Sequence, residues 1–159
     1  MQIEFRASER ASLGVEMELS LVDRETGALV SAASEILEEL GRGHPGGEHP
    51  KAKHELFECT VEVITGICAN PAEAKLDLGE TIDELRTAAQ ARGLELVSAG
   101  SHPFSHPHEQ TISPDPRYSK LIEDMQWPAR RLQIFGVHFH VGVRSAEKSI
   151  VVANALQLH

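Results

Sequence analysis

Residues 13–22 read Leu-Gly-Val-Glu-Met-Glu-Leu-Ser-Leu-Val, and their polarity alternates throughout. Val15, Met17, Leu19 and Leu21 fall on one side; Glu16, Glu18 and Ser20 fall on the other. A period of two predicts a half-buried β-strand. At a rise of about 3.3 Å per residue, the two carboxylates leave the same face roughly 7 Å apart. That spacing suits two oxygen-seeking cations held side by side, or one cation gripped twice. The plainer reading is the wetted outer face of a sheet.

The pattern recurs further along the chain. Residues 54–65 predict a second long strand, with Glu58, Thr60 and Glu62 on one parity and Phe57, Cys59, Val61 and Val63 on the other. Glu55 is out of phase with Glu62, so a bulge or an early strand start is needed to bring both to one site. Residues 94–99 predict a third strand, and residues 132–143 a fourth. In the fourth, Phe135, Val137, Phe139, Val141 and Val143 oppose Gly136, His138, His140 and Gly142.

Helices separate these strands. Residues 34–40 form a short one stopped by Gly41. Asn70-Pro-Ala-Glu73 is a strong helix start, with a run to about residue 92 and a buried stripe of Leu78, Ile82, Leu85 and Ala89. Asp115-Pro116 opens another, with Tyr118, Leu121, Ile122 and Met125 at helical spacing. Ser145 caps a last, apolar helix that runs on to His159 without a stop signal. The Gly- and Pro-rich stretch 41–50 is a mobile loop, its His44 and His49 poor candidates for ligands. Cys59 and Trp127 read as packing residues, and residues 1–12 as a polar lead-in.

The predicted architecture is α+β: a largely antiparallel sheet with helices on one face and the other face open to ligand. A chain of 159 residues is sized for one domain. Fifteen basic against 24 acidic residues, a net charge of −9, argues against nucleic-acid and anionic-membrane partners. The two cysteines form no C-x-x-C pair, and the first residues show no apolar secretory core; the expectation is a reducing cytoplasm.

On the open face Glu16, Glu18, Glu62 and His138 would project together. Carboxylates crowded on one surface repel, and a divalent cation is the natural compensation. Oxygen donors with little sulfur suit Mg²⁺ or Mn²⁺, and magnesium commonly binds substrate phosphates, which points to ATP. His138-Phe139-His140 stays ambiguous by itself: two same-face imidazoles with one carboxylate also suit zinc or iron, or are hydrogen-bonded within the sheet.

Gly14-Val-Glu-Met-Glu18 resembles the Gly-x-Glu-x-Glu strand of the glutamate–cysteine ligase superfamily, nearest to its bacterial carboxylate–amine ligase branch, glutamate–cysteine ligase type 2. His54-Glu-Leu-Phe-Glu-Cys-Thr-Val-Glu-Val63, Ala99-Gly-Ser-His-Pro-Phe104 and Phe135-Gly-Val-His-Phe-His-Val-Gly-Val143 resemble it too, in the same order. The resemblance implies a glutamine-synthetase-like curved sheet around an ATP and metal site, and amide formation through an acyl phosphate. It implies magnesium ligands at Glu16, Glu18, Glu55 and Glu62 with His138, nucleotide contacts from His138 and His140, and direct work on the reaction by Glu62 and His138. Met17 stands where many members carry a third acidic residue. The implied substrates are a glutamate-like carboxylate and an amine such as cysteine.

Since members of the branch run longer, residues 1–159 are expected to be the N-terminal half of a catalytic domain, doubtfully active alone and prone to form a homo-oligomer. Two other readings stand beside this one. The first is a metal-dependent hydrolase or oxygenase on His138, His140 and one glutamate. The second is a truncated, non-catalytic copy acting as a binding or assembly module.

Overall fold

The computed structural model describes residues 4–158; Met1 to Ile3 of the expected lead-in, and His159, lie outside the described residues. The chain runs β1 (Ser12–Asp23), α1 (Ala33–Gly41), β2 (Ala52–His54), β3 (Thr60–Ile64), α2 (Pro71–Gln90), β4 (Leu94–Val97), α3 (Pro116–Met125), α4 (Trp127–Arg130), β5 (Val137–Gly142) and α5 (Ala146–Leu156). Every strand pairing is antiparallel. The expected α+β class, an open antiparallel sheet with helices, is the fold observed.

The predicted strand at residues 13–22 is the seam of this sheet. Along one edge β1 pairs with β3, which in turn pairs with β2. The other edge is shared: β4 takes Ser20 to Asp23, and β5 takes Ser12 to Met17. Leu19, Leu21, Val61, Val63 and Leu94 are buried beneath α1 and α2, which contribute Ile36, Leu37, Leu85, Ala88 and Ala89; Met17 packs against the same cluster. α2 starts as the sequence predicts. Asn70 accepts a hydrogen bond from the Glu73 N–H at 3.0 Å, and the Glu73 carboxylate accepts from Ala69 N–H and the Asn70 side chain. Two backbone donors at the helix start are thereby satisfied from both directions. Beyond its end, Gly93 takes φ of +72°, which reverses the chain into β4.

The predicted single strand 54–65 is instead a hairpin. Ala52, Lys53 and His54 pair back on Val63, Glu62 and Val61, and residues 55–59 make the reversal. Such a turn is hard to see because it carries no Gly, Pro or Asn. It is held by burial: Leu56, Phe57 and Cys59 pack with Tyr118 of α3. Glu55 therefore sits in the turn, and its phase relative to Glu62 ceases to matter. Glu58 does not join the open face. Its carboxylate accepts from Ser34 N–H and Ser34 Oγ (3.1 and 2.7 Å), and its carbonyl accepts from Ala32 and Ala33. Glu58 thus caps α1 from across the fold, where the N-cap residue Ala32 has no side chain to do so.

β5 is shorter than predicted. Residues 132–136 are irregular, and Val137, Phe139 and Val141 are 44%, 67% and 59% exposed, so their apolar parity is not in a core. The cause is incomplete cover: the start of α2 packs on Val15 of β1 through Ala74 and Leu78, while Val137 and Phe139 border an open cavity beside that helix. α5 starts at the expected Ser145 cap, buries no residue and ends at Leu156. Trp127 is exposed too, with the Arg131 guanidinium over its ring, and does not pack in a core.

The 41–50 stretch is anchored. A Cβ on Gly41 would run into the Gly47 carbonyl, so the loop closes directly on α1. His49 is buried, its Nδ1 accepting from the N–H groups of Lys51 (3.2 Å) and Ala52 (2.9 Å), with Nε2 at 3.4 Å from Glu84. The ring is therefore held neutral with its proton on Nε2. Burial pushes its pKa below the ordinary imidazole value, with Glu84 pulling the other way. A group whose pKa falls on folding stabilises the fold above its unfolded pKa and loses that contribution as pH falls through the folded value. His49→Asn keeps an acceptor without titrating, so its melting temperature should depend less on pH than the wild type's between about pH 7 and pH 5. Parallel curves would show that His49 does not set this dependence.

Candidate active site

Opposite α1 and α2, β1, β3 and β5 present one polar surface, with α3 at its border. Glu18 of β1 stands directly across from Glu62 of β3, and Glu16 across from His138 of β5; His140 is opposite Gly14. One carboxylate meets both imidazoles: Glu16 lies 3.3 Å from His138 Nδ1 and 3.2 Å from His140 Nε2. The Glu16 side chain is half-buried, while both rings are open to solvent.

Glu18 is held more tightly. It is buried, its Oε2 accepts from the Gly136 N–H at 2.7 Å, and its own N–H donates to the Gly136 carbonyl at 3.0 Å. Glu55 reaches the same neighbourhood from the β2–β3 turn. The Tyr118 hydroxyl donates to its Oε2 at 2.9 Å and accepts from Arg117 Nη2 at 2.7 Å. Tyr118 is the neighbour of these carboxylates that the sequence reading missed, having been noted only for its helical spacing. Its one visible signal is the polar tip of an amphipathic side chain beside Arg117 in the first turn of α3.

These groups feel one another. Burial raises the Glu18 carboxyl above the usual carboxylate range; Glu55 and Glu16 push it further, against the Gly136 amide and His138. Glu62 is raised by burial first, then by Glu16, Glu55 and Glu18, with Arg117 opposing. Tyr118 is raised by burial and by its bond to Glu55. All six residues expected at the site, Glu16, Glu18, Glu55, Glu62, His138 and His140, are thus on one surface. Crowded, part-buried carboxylates with no sulfur donor make a hard-cation donor set. Among the described residues, no three of His, Cys, Asp or Glu are already drawn together tightly enough to hold an ion. Glu16 is instead turned toward the two imidazoles.

A family comparison covers this same region. The family described as glutamate-cysteine ligase family 2 (GCS2) matches residues 12–159, from the start of β1 onward. The chain belongs to glutamate-cysteine ligase family 2. A protein of Frankia alni named "Putative glutamate--cysteine ligase 2-1" is 51% identical over 159 residues, all of this chain and 42% of the relative. "Putative glutamate--cysteine ligase 2" of Thermobifida fusca is 50% identical over 156 residues, 98% of this chain and 39% of the relative. A Mycobacterium bovis protein of the same name is 41% identical over 155 residues, 98% of this chain and 40% of the relative. The chain therefore spans about two fifths of the length of these glutamate–cysteine ligase relatives.

Among the described residues no helix is long and apolar enough to cross a membrane. Met17 packs against the core cluster, away from the polar surface.

Proposed function

We propose that this family member is the N-terminal part of an ATP-dependent carboxylate–amine ligase acting in the cytoplasm on a glutamate-like acid and an amine such as cysteine. The observation that carries the reading is the row of part-buried, mutually repelling carboxylates at Glu16, Glu18, Glu55 and Glu62, flanked by two imidazoles. Such a surface is costly by itself and is relieved by cations that accompany a nucleotide triphosphate.

In the first step an oxygen of the substrate carboxylate attacks the γ-phosphorus of ATP. The bond to the β–γ bridging oxygen breaks and ADP departs. In the second step the amine nitrogen attacks the acyl-phosphate carbon, the C–O bond to phosphate breaks, and hydrogen phosphate leaves with the amine's proton. Glu16, Glu18, Glu55 and Glu62, with His138, would hold Mg²⁺, which when bound supplies charge neutralisation for the phosphates. The protein's own work is positioning. Gly136 fixes the Glu18 carboxylate, Tyr118 fixes Glu55, and His138 and His140 stand on the exposed rim where the nucleotide phosphates would arrive. Glu62, between them and the β2 edge, would face the transferring group.

The test is ADP release by the protein as its gene encodes it, with ATP, Mg²⁺, L-glutamate and a panel of amines. Release that requires both acid and amine, with an amide identified by mass, supports the ligase. The convergence of both imidazoles on Glu16 is the one observation that favours a metal-dependent hydrolase or oxygenase. Tight zinc or iron binding with no response to ATP would establish that reading and end this one.

A further inference from the structure

Residues 42–50 are held to the fold by one side chain. From Arg42 to Pro50 every residue is exposed or half-exposed except His49, which is buried. The segment carries no Leu, Ile, Val, Phe or Met to anchor it. Its backbone hydrogen bonds stay local: the His44 N–H donates to the Gly41 carbonyl at 2.9 Å, and the Gly47 N–H to the His44 carbonyl at 3.1 Å. The Arg42–Glu38 ion pair is exposed and only one helical turn long. Gly47 rests against Gly41, a backbone contact that buries little apolar surface. Gly46 and Gly47 take φ of +80° and +75°, so two adjacent residues can change backbone state at little steric cost.

The His49 ring ties this segment to two elements at once. Its Nδ1 accepts from Lys51 and Ala52 at the start of β2, and its Nε2 faces Glu84 of α2. The neighbouring ladder does not depend on the ring, because the Lys51 carbonyl accepts from the Ile64 N–H of β3. The tie depends on protonation. A second proton can go only to Nδ1, the atom that already faces two N–H donors. Three donors would then converge, and a cation would be buried. Glu84, largely exposed, offsets this in part; His44, ring to ring at 4.6 Å, and Lys53 on β2 act against it. Of the other charged groups nearby, Lys51 is committed to Asp77 of α2, while Glu38 of α1 and Glu48 border the same cavity as the ring.

The segment is also a wall. Gly47, Glu48 and His49 line a cavity of about 430 Å³ at the β2 edge, together with Leu37 of α1, Lys53 of β2 and Glu62 of β3. We propose that residues 42–50 are a hinged strap on this cavity, latched while His49 is neutral and freed when it is protonated. Acid thereby opens a side entrance to the carboxylate row while the sheet stays folded. Below the ordinary imidazole value of about 6.5 the freed strap takes up the proton more readily than the latched one. The open fraction should therefore rise by up to about tenfold per pH unit until the latched ring itself titrates. Neither strap nor latch rests on the ligase reading.

Amide hydrogen exchange, corrected for intrinsic rates, tests this on the protein as its gene encodes it, between about pH 7.5 and about pH 5. Opening at the Lys51 and Ala52 amides should rise about tenfold or more toward acid, while amides in α2 and β3 keep their protection. His49→Asn offers the same two N–H groups an acceptor that does not titrate, so its opening should stay within about twofold across the range. His49→Ala should expose both amides at every pH; if it fails to fold, His49→Asn carries the test. A Leu37→Cys thiol on the cavity wall should react with dithiodipyridine above the background of buried Cys59 and Cys68. Its rate with His49, divided by its rate with His49→Asn, should grow as pH falls, a ratio that cancels the thiol's own titration. Exchange that ignores pH, that rises equally across α2 and β3, or that rises as steeply in His49→Asn overturns the proposal. So does a constant labelling ratio, since the strap would then move without opening the cavity. No readout involves ADP release, so the strap and the ligase reading stand or fall separately.

Discussion

Replacing Glu62 with Gln, in the protein as its gene encodes it, should lower turnover by about 10²-fold or more while the melting temperature holds or rises. Glu62 lies across from Glu18, and burial together with Glu16, Glu55 and Glu18 makes its ionised form unfavourable. A carboxyl whose pKa is raised on folding detracts from stability at neutral pH when ionised. Glutamine keeps the shape and hydrogen-bonding capacity and removes the charge, so the sheet loses a repulsion and the site loses a donor for cations. Glu16→Gln should also abolish turnover, but it replaces the charged partner of His138 and His140, so its stability need not rise. Activity retained in Glu62→Gln would remove that residue from the chemistry. Lost activity together with a lowered melting temperature would make its role structural.

Leu85→Ala is the matching experiment on the scaffold. Leu85 is fully buried in α2, among the side chains joining that helix to β1, β3 and α1. Truncation leaves a cavity that close-packed neighbours fill only in part, at a cost of about 2–5 kcal/mol. For a chain of this size that corresponds to a fall in melting temperature of about 4–20 °C. Leu76 lies on the same helix but is 70% exposed, and Leu76→Ala should stay within about 0.5 kcal/mol. If Leu85→Ala melted like Leu76→Ala, the face of α2 assigned to the core would be wrong.

The site was legible in the chain because strand parity is a rigid code. Once Glu16 and Glu18 sit on one side of β1, an antiparallel neighbour must bring Glu62 and His138 to the same side. Residues 55–59 were not legible because their reversal depends on Leu56 and Phe57 packing under Tyr118, a contact made more than sixty positions away. Glu58 was misplaced for a related reason: a charged residue next to a strand resembles a surface group until the helix it caps is in place. β5 misled in the other direction. Its alternation is real, but alternation reports which side is apolar and cannot report whether a helix lies there to cover it.

The shared edge of β1 also imposes an order in time. β4 and β5 occupy different halves of that edge, and the Gly136 amide that meets the Glu18 carboxylate comes from 118 positions downstream. On a ribosome adding roughly 5–20 residues per second, that amide emerges some 6–24 s after Glu18. Until then β1 can zip only to β3 and then β4, the contacts with the shorter loops to close. The β5 side of its first half meanwhile waits without a partner, though its other side already meets β3 and Cys68. The acidic surface is therefore completed last, by β5, after the helical side has begun to consolidate, and slow or interrupted synthesis should harm that surface sooner than the scaffold beneath it.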